Sequence, residues 1–221
     1  MYQLKGKLMS IANNVNSQLS KNPINRCKLL LGSSDKSQFL SSDPTSILYP
    51  LRDDGGIIFE NTPSLSFSSV SSYTPYELAH TNYELNAYQK TSISDFQIQG
   101  AKFTSETRGK ADHTLAVIQF LRTFTKMNYG INDTEAGMPP RILYFSAYGQ
   151  YMFNQVPVVI RQMVIPLDNT SDYVQTSRGT QVPMVLDVQI TLQFMPTPSK
   201  LKTEFSLNKF ANGELIKRGY L

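Results

Sequence analysis

His113-Thr-Leu-Ala-Val-Ile-Gln-Phe-Leu-Arg-Thr-Phe-Thr-Lys-Met127 carries the clearest helix pattern in the chain, and what flanks it decides the fold. With Ala111, the residues Leu115, Ile118 and Leu121 recur at steps of four, three and three, and Val117, Phe120 and Phe124 widen the stripe into a broad apolar face. The packing face is therefore expected at Leu115, Ile118, Leu121 and Phe124. Ser105 or Asp112 is placed to cap the start, and Gly130 to supply the left-handed residue that ends a helix. At ~1.5 Å per residue the segment is roughly 30 Å long, so it needs a wide surface to lie on. Its neighbours in sequence are almost all strand-like. The pattern predicts a mainly β protein with one flanking α-helix.

C-terminal to the helix, Met138-Pro-Pro140 punctuates and Arg141 to Tyr148 reads as a strand. Val156 to Ile165 is another, with Pro157 near its start. Leu186, Val188, Ile190, Leu192 and Phe194 alternate with Asp187, Gln189, Thr191 and Gln193, the cleanest period-two pattern in the chain. Met195, Pro196 and Pro198 end it. N-terminal to the helix, Asp53-Asp-Gly-Gly56 forms a turn feeding Ile57-Ile-Phe59. Pro63 to Phe103 is strand-like but rich in Ser, Thr, Asn and Gln, with strands expected over 64–73, 78–90 and 93–99. Such a wet face suits either an ordinary solvent-facing sheet or a wall facing water in a channel.

Residues 2–20 read as an amphipathic helix with Leu4, Leu8, Ile11, Val15 and Leu19 on one seam. So narrow a stripe fits a helix lying against a partner, ahead of packing on its own domain or lying on a membrane surface, since no Trp or Phe anchors it. Asn22-Pro23 breaks it, and the Ser- and Asp-rich stretch to Pro50 looks like a linker after a short apolar run at 26–31. The expected organisation is a docking helix at 1–22, an extended arm at 23–45, a β domain at 46–198 and a basic C-terminal tail at 199–221.

Among 221 residues there is one cysteine, Cys27, so neither an internal disulfide framework nor a Cys-based zinc site is available. No apolar run reaches the ~20 residues of a membrane span, and the N-terminus has no signal-peptide core; synthesis in a cytosol is expected. The net charge of +4 divides into basic ends and a mildly acidic middle, which favours docking through the ends and a body that avoids phosphate. His80 and His113 lie far apart with no nucleophile motif beside either, and no phosphate loop, dinucleotide fingerprint or metal motif occurs. Glu77, Glu84 and Asp95 are the nearest approach to a glycosidase carboxylate set. No catalytic residue, cofactor or metal is expected.

Several stretches taken together resemble a known group. They are Ser72-Tyr73, His80-Thr-Asn-Tyr83, Gly100-Ala-Lys-Phe-Thr104, Leu115-Ala-Val-Ile-Gln-Phe-Leu-Arg122 and Thr125-Lys-Met127, then Gly137-Met-Pro-Pro140, Phe145-Ser-Ala-Tyr-Gly149, Phe153-Asn154, Val156-Pro-Val-Val-Ile160 and Phe210-Ala-Asn-Gly213. In this order over 46–221 they resemble the tail-tube initiators and tube-associated baseplate proteins of contractile-tailed phages of the T-even type. The resemblance implies the tail-tube fold, an antiparallel β-sandwich or barrel with a flanking helix. It also implies a homohexameric ring at the baseplate–tube junction that initiates the tube, in the virion after assembly in the host cytoplasm. Implied partners are the baseplate hub, the tail tube and the sheath or tape-measure proteins, with DNA only in passage through the lumen and no stable membrane contact. On that reading Ser66, Ser68, Ser72, Thr81, Asn82, Glu84 and Asn86 face the lumen, where uncharged or acidic groups let DNA slide. The close alternative is the major tail-tube protein itself, and the distant one a glycan-cleaving baseplate enzyme.

Overall fold

The computed structural model describes residues 26–131, 134–169 and 171–221. The expected docking helix, with Leu4, Leu8, Ile11, Val15 and Leu19, lies outside the described residues. In chain order the elements are β1 (Lys28–Leu31), α1 (Ser33–Phe39), a 3-10 turn at Tyr49–Leu51, β2 (Gly56–Ile58), β3 (Ser64–Ser66), β4 (Ser69–Tyr76), β5 (Leu85–Ile93) and β6 (Phe96–Thr104). They continue with α2 (Arg108–Phe124), β7 (Leu143–Ala147), β8 (Phe153–Val164), β9 (Tyr173–Gln175), β10 (Gln181–Pro183) and β11 (Val185–Phe194). The chain ends in α3 (Pro198–Glu204), α4 (Leu207–Ala211) and a 3-10 turn at Ile216–Arg218. The protein is mainly β with a large antiparallel sheet and a few helices.

Seven strands form that sheet in the order β2-β1-β7-β8-β11-β6-β3. The alternation along β11 works as its pattern dictates: Leu186, Val188, Ile190 and Leu192 are buried, while Gln189 and Gln193 face out. The sheet curls strongly. Phe96 of β6 meets Phe145 of β7 and Phe153 of β8 at ring-centroid distances of 6.1 and 5.6 Å, although two strands separate β6 from β7 in the sheet. One segment draws the two edges together. Residues 56–58 pair with β1 and residues 64–66 pair with β6. Between them, Asn61 accepts from the Lys102 amide at 2.9 Å and donates to the Gly100 carbonyl at 2.8 Å. Glu60 accepts from both the amide and the hydroxyl of Thr104 at 3.1 and 2.8 Å. Side chains thus replace a backbone ladder where the segment changes partner. Gly56 (φ 154°) lies so close to β1 that a Cβ there would stand 2.3 Å from the Leu29 carbonyl oxygen.

The helix α2 closes one opening of the core. Its first turn is capped by Thr107, whose hydroxyl accepts from the Lys110 amide, so neither Ser105 nor Asp112 is the cap. Ser105 is instead buried and donates to Thr114 at 2.8 Å, which satisfies two hydroxyls inside the core. The helix ends at Phe124 with Thr125 as its C-cap, so Gly130 lies well beyond its end. Ile118, Leu121 and Phe124 are buried, with Phe124 edge-on to Phe39 of α1 at 5.2 Å. Leu115 is only half-buried. It faces a strap over the helix in which Ser177 donates its amide to Asp112 and Arg178 donates to the carbonyls of Pro44 and Ser46.

Two of the expected domain boundaries are corrected. The region 23–45, expected as an extended arm, belongs from Arg26 onward to the folded body: β1 is an interior strand flanked by β2 and β7, with Leu29 wholly buried. The region 199–221, expected as a basic tail, folds back on β8. Leu215 and Tyr220 are buried there, and Asn154 donates to the Lys217 carbonyl at 2.8 Å.

Candidate assembly surfaces

Between β3 and β6 the chain leaves the curled sheet. Here β4 and β5 pair with each other over eight residue pairs from Ser69↔Ile93 to Tyr76↔Leu85, and with no strand of the main sheet. At ~3.3 Å per residue this ribbon is about 25 Å long. Its root is fixed: Ser68 and Ser94 exchange two hydrogen bonds, the Phe67 ring lies 5.6 Å from Phe96 and 5.4 Å from Phe153, and Arg161 pairs with Asp95. Beyond the root no ribbon side chain is fully buried. Tyr73 and Tyr88 stack edge-on across the strands at 5.7 Å while remaining 58% and 57% exposed. Lys90 is the only charged residue on the two strands.

The seven residues assigned to a lumen wall divide among different places. Ser66 is on β3, and Ser68 is at the root. Ser72 and Asn86 are on the ribbon, paired with Lys90 and Pro75. Because Ser72 and Pro75 are three residues apart on one strand, Ser72 and Asn86 point to opposite faces. Thr81, Asn82 and Glu84 are not on a strand at all. The expected strand at 78–90 begins only at Leu85, and residues 77–84 form the loop that joins the ribbon's strands. His80 (φ 61°) makes its left-handed corner, and Thr81 donates to the Leu78 and Tyr83 carbonyls. The aromatics of this finger were not among the expected site residues. Tyr73, Tyr76, Tyr83 and Tyr88 are all large and exposed, a signal that the sequence carries as Tyr spaced among Ser and Thr.

Four further features bear on chemistry. Glu77 and Glu84 are exposed in the finger loop, whereas Asp95 lies at the root of the ribbon, engaged by Arg161, so the three carboxylates do not converge. Among the described residues no group of His, Cys, Asp and Glu could hold a metal ion. The Cys27 thiol is buried and burial pushes it up to about 12, which makes it inert as a nucleophile. His113 is held below its ordinary range by burial against Phe103, with Glu60 and Asp54 acting weakly in the other direction.

Two other surfaces present groups to solvent. The connection after α2 is fastened at its base by Glu135, which accepts from Gln38, Arg141 and Asn128 and whose carboxyl those bonds hold below the usual range. Tyr129 and Ile131 stand fully out of that base. The second surface is a groove of about 420 Å³ between α3, the last 3-10 turn and β7–β8. Lys200, Lys217 and Arg218 line it together with Tyr144, Phe194 and Leu201. Gly219 (φ 83°) closes its floor, since a Cβ there would meet the Gln155 carbonyl oxygen at 2.5 Å.

No family model matches the chain, and no curated protein matches it. No helix among the described residues is long and apolar enough to cross a membrane.

Proposed function

We propose that the protein is a structural subunit of a contractile phage tail, a tube-fold protein that forms a homohexameric ring where the baseplate meets the tube and starts tube assembly. The sequence resemblance supplies the class. The observation that supports it most is the β4–β5 ribbon, which is exposed on both faces and almost uncharged. A two-stranded ribbon alone in water is marginal, and its free edges invite pairing. Ribbons of neighbouring copies set side by side would satisfy those edges, give each Tyr a partner and enclose a bore. Lys90 is the single strand charge, one per copy, so most of the wall of such a bore would offer phosphate no cation. The ring is heterologous, each copy offering one surface to a different surface of the next. The amphipathic pattern at Leu4 to Leu19 and the apolar Tyr129 and Ile131 are assigned to neighbouring hub or tube proteins.

Negative-stain microscopy of the purified chain at rising concentration, alone and with isolated baseplates, tests the reading. Six-fold rings that stop, or that cap baseplates, are expected. Unlimited tubes would make it the tube subunit instead. Absence of any ring in solution and on baseplates would overturn the assignment.

A further inference from the structure

We infer that the finger loop of one copy, residues 77–84 with Tyr76 and Leu85, seats in the basic groove of a second copy. This rests on the assembly reading above and names the contact that reading leaves open. The two surfaces complement each other in charge. From Tyr76 to Gln89 the finger carries Glu77 and Glu84 and no Lys or Arg. The groove carries Lys200, Lys217 and Arg218 against one acid, Glu204, which accepts from the Tyr220 hydroxyl at 3.0 Å, so basic groups outnumber acidic ones there, with the Lys217 ammonium also 4.6 Å from the Tyr151 ring centroid. Lys200 has no acidic partner among the described residues, and Arg218 reaches Glu214 only through an exposed pair at 3.3 Å, too weak a hold to compete with a desolvated carboxylate. The two surfaces also complement each other in apolar area. Leu78, Tyr83 and Leu85 stand exposed on the finger, Tyr83 by 83%, and the groove offers Tyr144, Phe194 and Leu201. Its volume of about 420 Å³ is that of a cleft for a few side chains, so the tip of the finger enters it and the rest of the loop lies along its rim.

Position within the fold makes the contact intermolecular. The groove opens at the same end of the sheet as the ribbon's root: Leu192 pairs with Phe96, just past the root, and Phe194, two residues on, lines the groove. The finger loop lies a ribbon's length away, about 25 Å at ~3.3 Å per residue. A chain therefore cannot fill its own groove with its own finger. A copy displaced by about that length can, and the same displacement leaves its own finger free for the next copy, a heterologous contact that makes a ring when its rotation closes.

The test uses the full chain as an equal mixture of unlabelled and ¹⁵N-labelled protein, treated with a zero-length carbodiimide at the concentration where microscopy shows assemblies. Links from Lys200 or Lys217 to Glu77 or Glu84 are expected, in peptides of mixed isotope content. E77K/E84K and K200E/K217E/R218E, each checked for an unchanged thermal transition, are expected to reduce assembly by at least about tenfold, because each juxtaposes like charges. The variant carrying both sets is expected to recover it. Assemblies that form normally in E77K/E84K, links confined to one isotope, or no recovery in the combined variant would each overturn the contact while leaving the ring intact as a proposal. Wild-type protein with neither rings nor inter-copy links would instead overturn the functional assignment, and this contact with it.

Discussion

The curled sheet and the ribbon are built from adjacent stretches of the same chain and obey opposite rules. In the sheet, Leu29, Phe96, Ile98, Phe145 and Leu192 are wholly buried, and aromatic rings from β6, β7 and β8 meet across its interior. In the ribbon, eight residue pairs bury no side chain completely, and its large residues are Tyr and Leu turned to solvent. Apolar area removed from water stabilises at about 25 cal/mol per Å², so the sheet holds itself and the ribbon does not. On the proposed assembly, the ribbon finds its missing partner in a neighbouring copy. The contrast is sharp enough to be broken by substitution, and the expected effects on folding run downward from the sheet to the ribbon.

The largest effect belongs to Phe96, which touches Phe67, Phe145 and Phe153 at once. Phe96→Ala leaves a cavity where those rings meet, and a loss of about 3–5 kcal/mol in urea unfolding is expected. A loss below about 1 kcal/mol would mean that the sheet does not curl around this ring. Next comes the seam where residues 56–66 change partner. Asn61→Ala removes both bonds that stand in for the ladder against β6, and about 1–2 kcal/mol is expected. Thr107→Ala follows, since it deletes the cap of α2; about 0.5–1 kcal/mol is expected from the same unfolding measurement.

How far the sequence was legible follows the same division. Where one face is buried and one is wet, the pattern reads directly, as at Leu186 to Leu192 and at Ile118, Leu121 and Phe124. The misreadings have particular causes. Leu78 and Tyr83 continue the apolar-among-polar pattern of Leu85 and Tyr88 and so read as part of the same strand, but a left-handed His80 turns the chain before Leu85 without a glycine to mark it. The Ser- and Asp-rich stretch after β1 reads as a linker, yet Asp43 accepts from the Thr45 amide at 2.8 Å and folds it into a compact turn. The Lys-rich end reads as a tail because Leu215-Ile216 and Tyr220-Leu221, the apolar pairs that include its buried residues, are too short and too far apart to show a helix or strand period. The groove those residues create joins β7, β8 and the last helices, which lie up to 76 positions apart from Tyr144 to Tyr220, and no local pattern carries it. The split of the lumen candidates between two faces follows from register, which sequence alone does not set.

A smaller effect is expected from pH. Glu135 is held below its ordinary value by Gln38, then Arg141 and Asn128, so its bonds contribute stability above the unfolded value of roughly pH 4.3. That contribution is lost as pH falls through the lower folded value. Relative to the intrinsic exchange rate at each pH, the amides of residues 127–131 and 134–142 are expected to lose protection on acidification below about pH 4, ahead of β6 and β11. Glu135→Gln is expected to show fast exchange at neutral pH already. Equal loss of protection in both regions would assign the change to global unfolding.

The smallest effect on folding, and the one that most sharpens the contrast, is expected from Tyr73→Ala. In the isolated chain it removes one exposed cross-strand pair with Tyr88, worth about 0.2–1 kcal/mol and confined to a ribbon whose own opening already costs little. Urea unfolding of the sheet should therefore be unchanged, while the ribbon's amides exchange somewhat faster. In an assembly the same tyrosine is one of the few large side chains the ribbon can place against a neighbour, so ring formation should fall steeply at equal folding stability. If Tyr73→Ala destabilised the sheet as Phe96→Ala does, the ribbon would be part of the core after all. If it changed neither stability nor assembly, the exposed aromatics would need another partner. Only a loss of assembly without a loss of fold fits a chain that completes its core alone and leaves its ribbon to be completed by others.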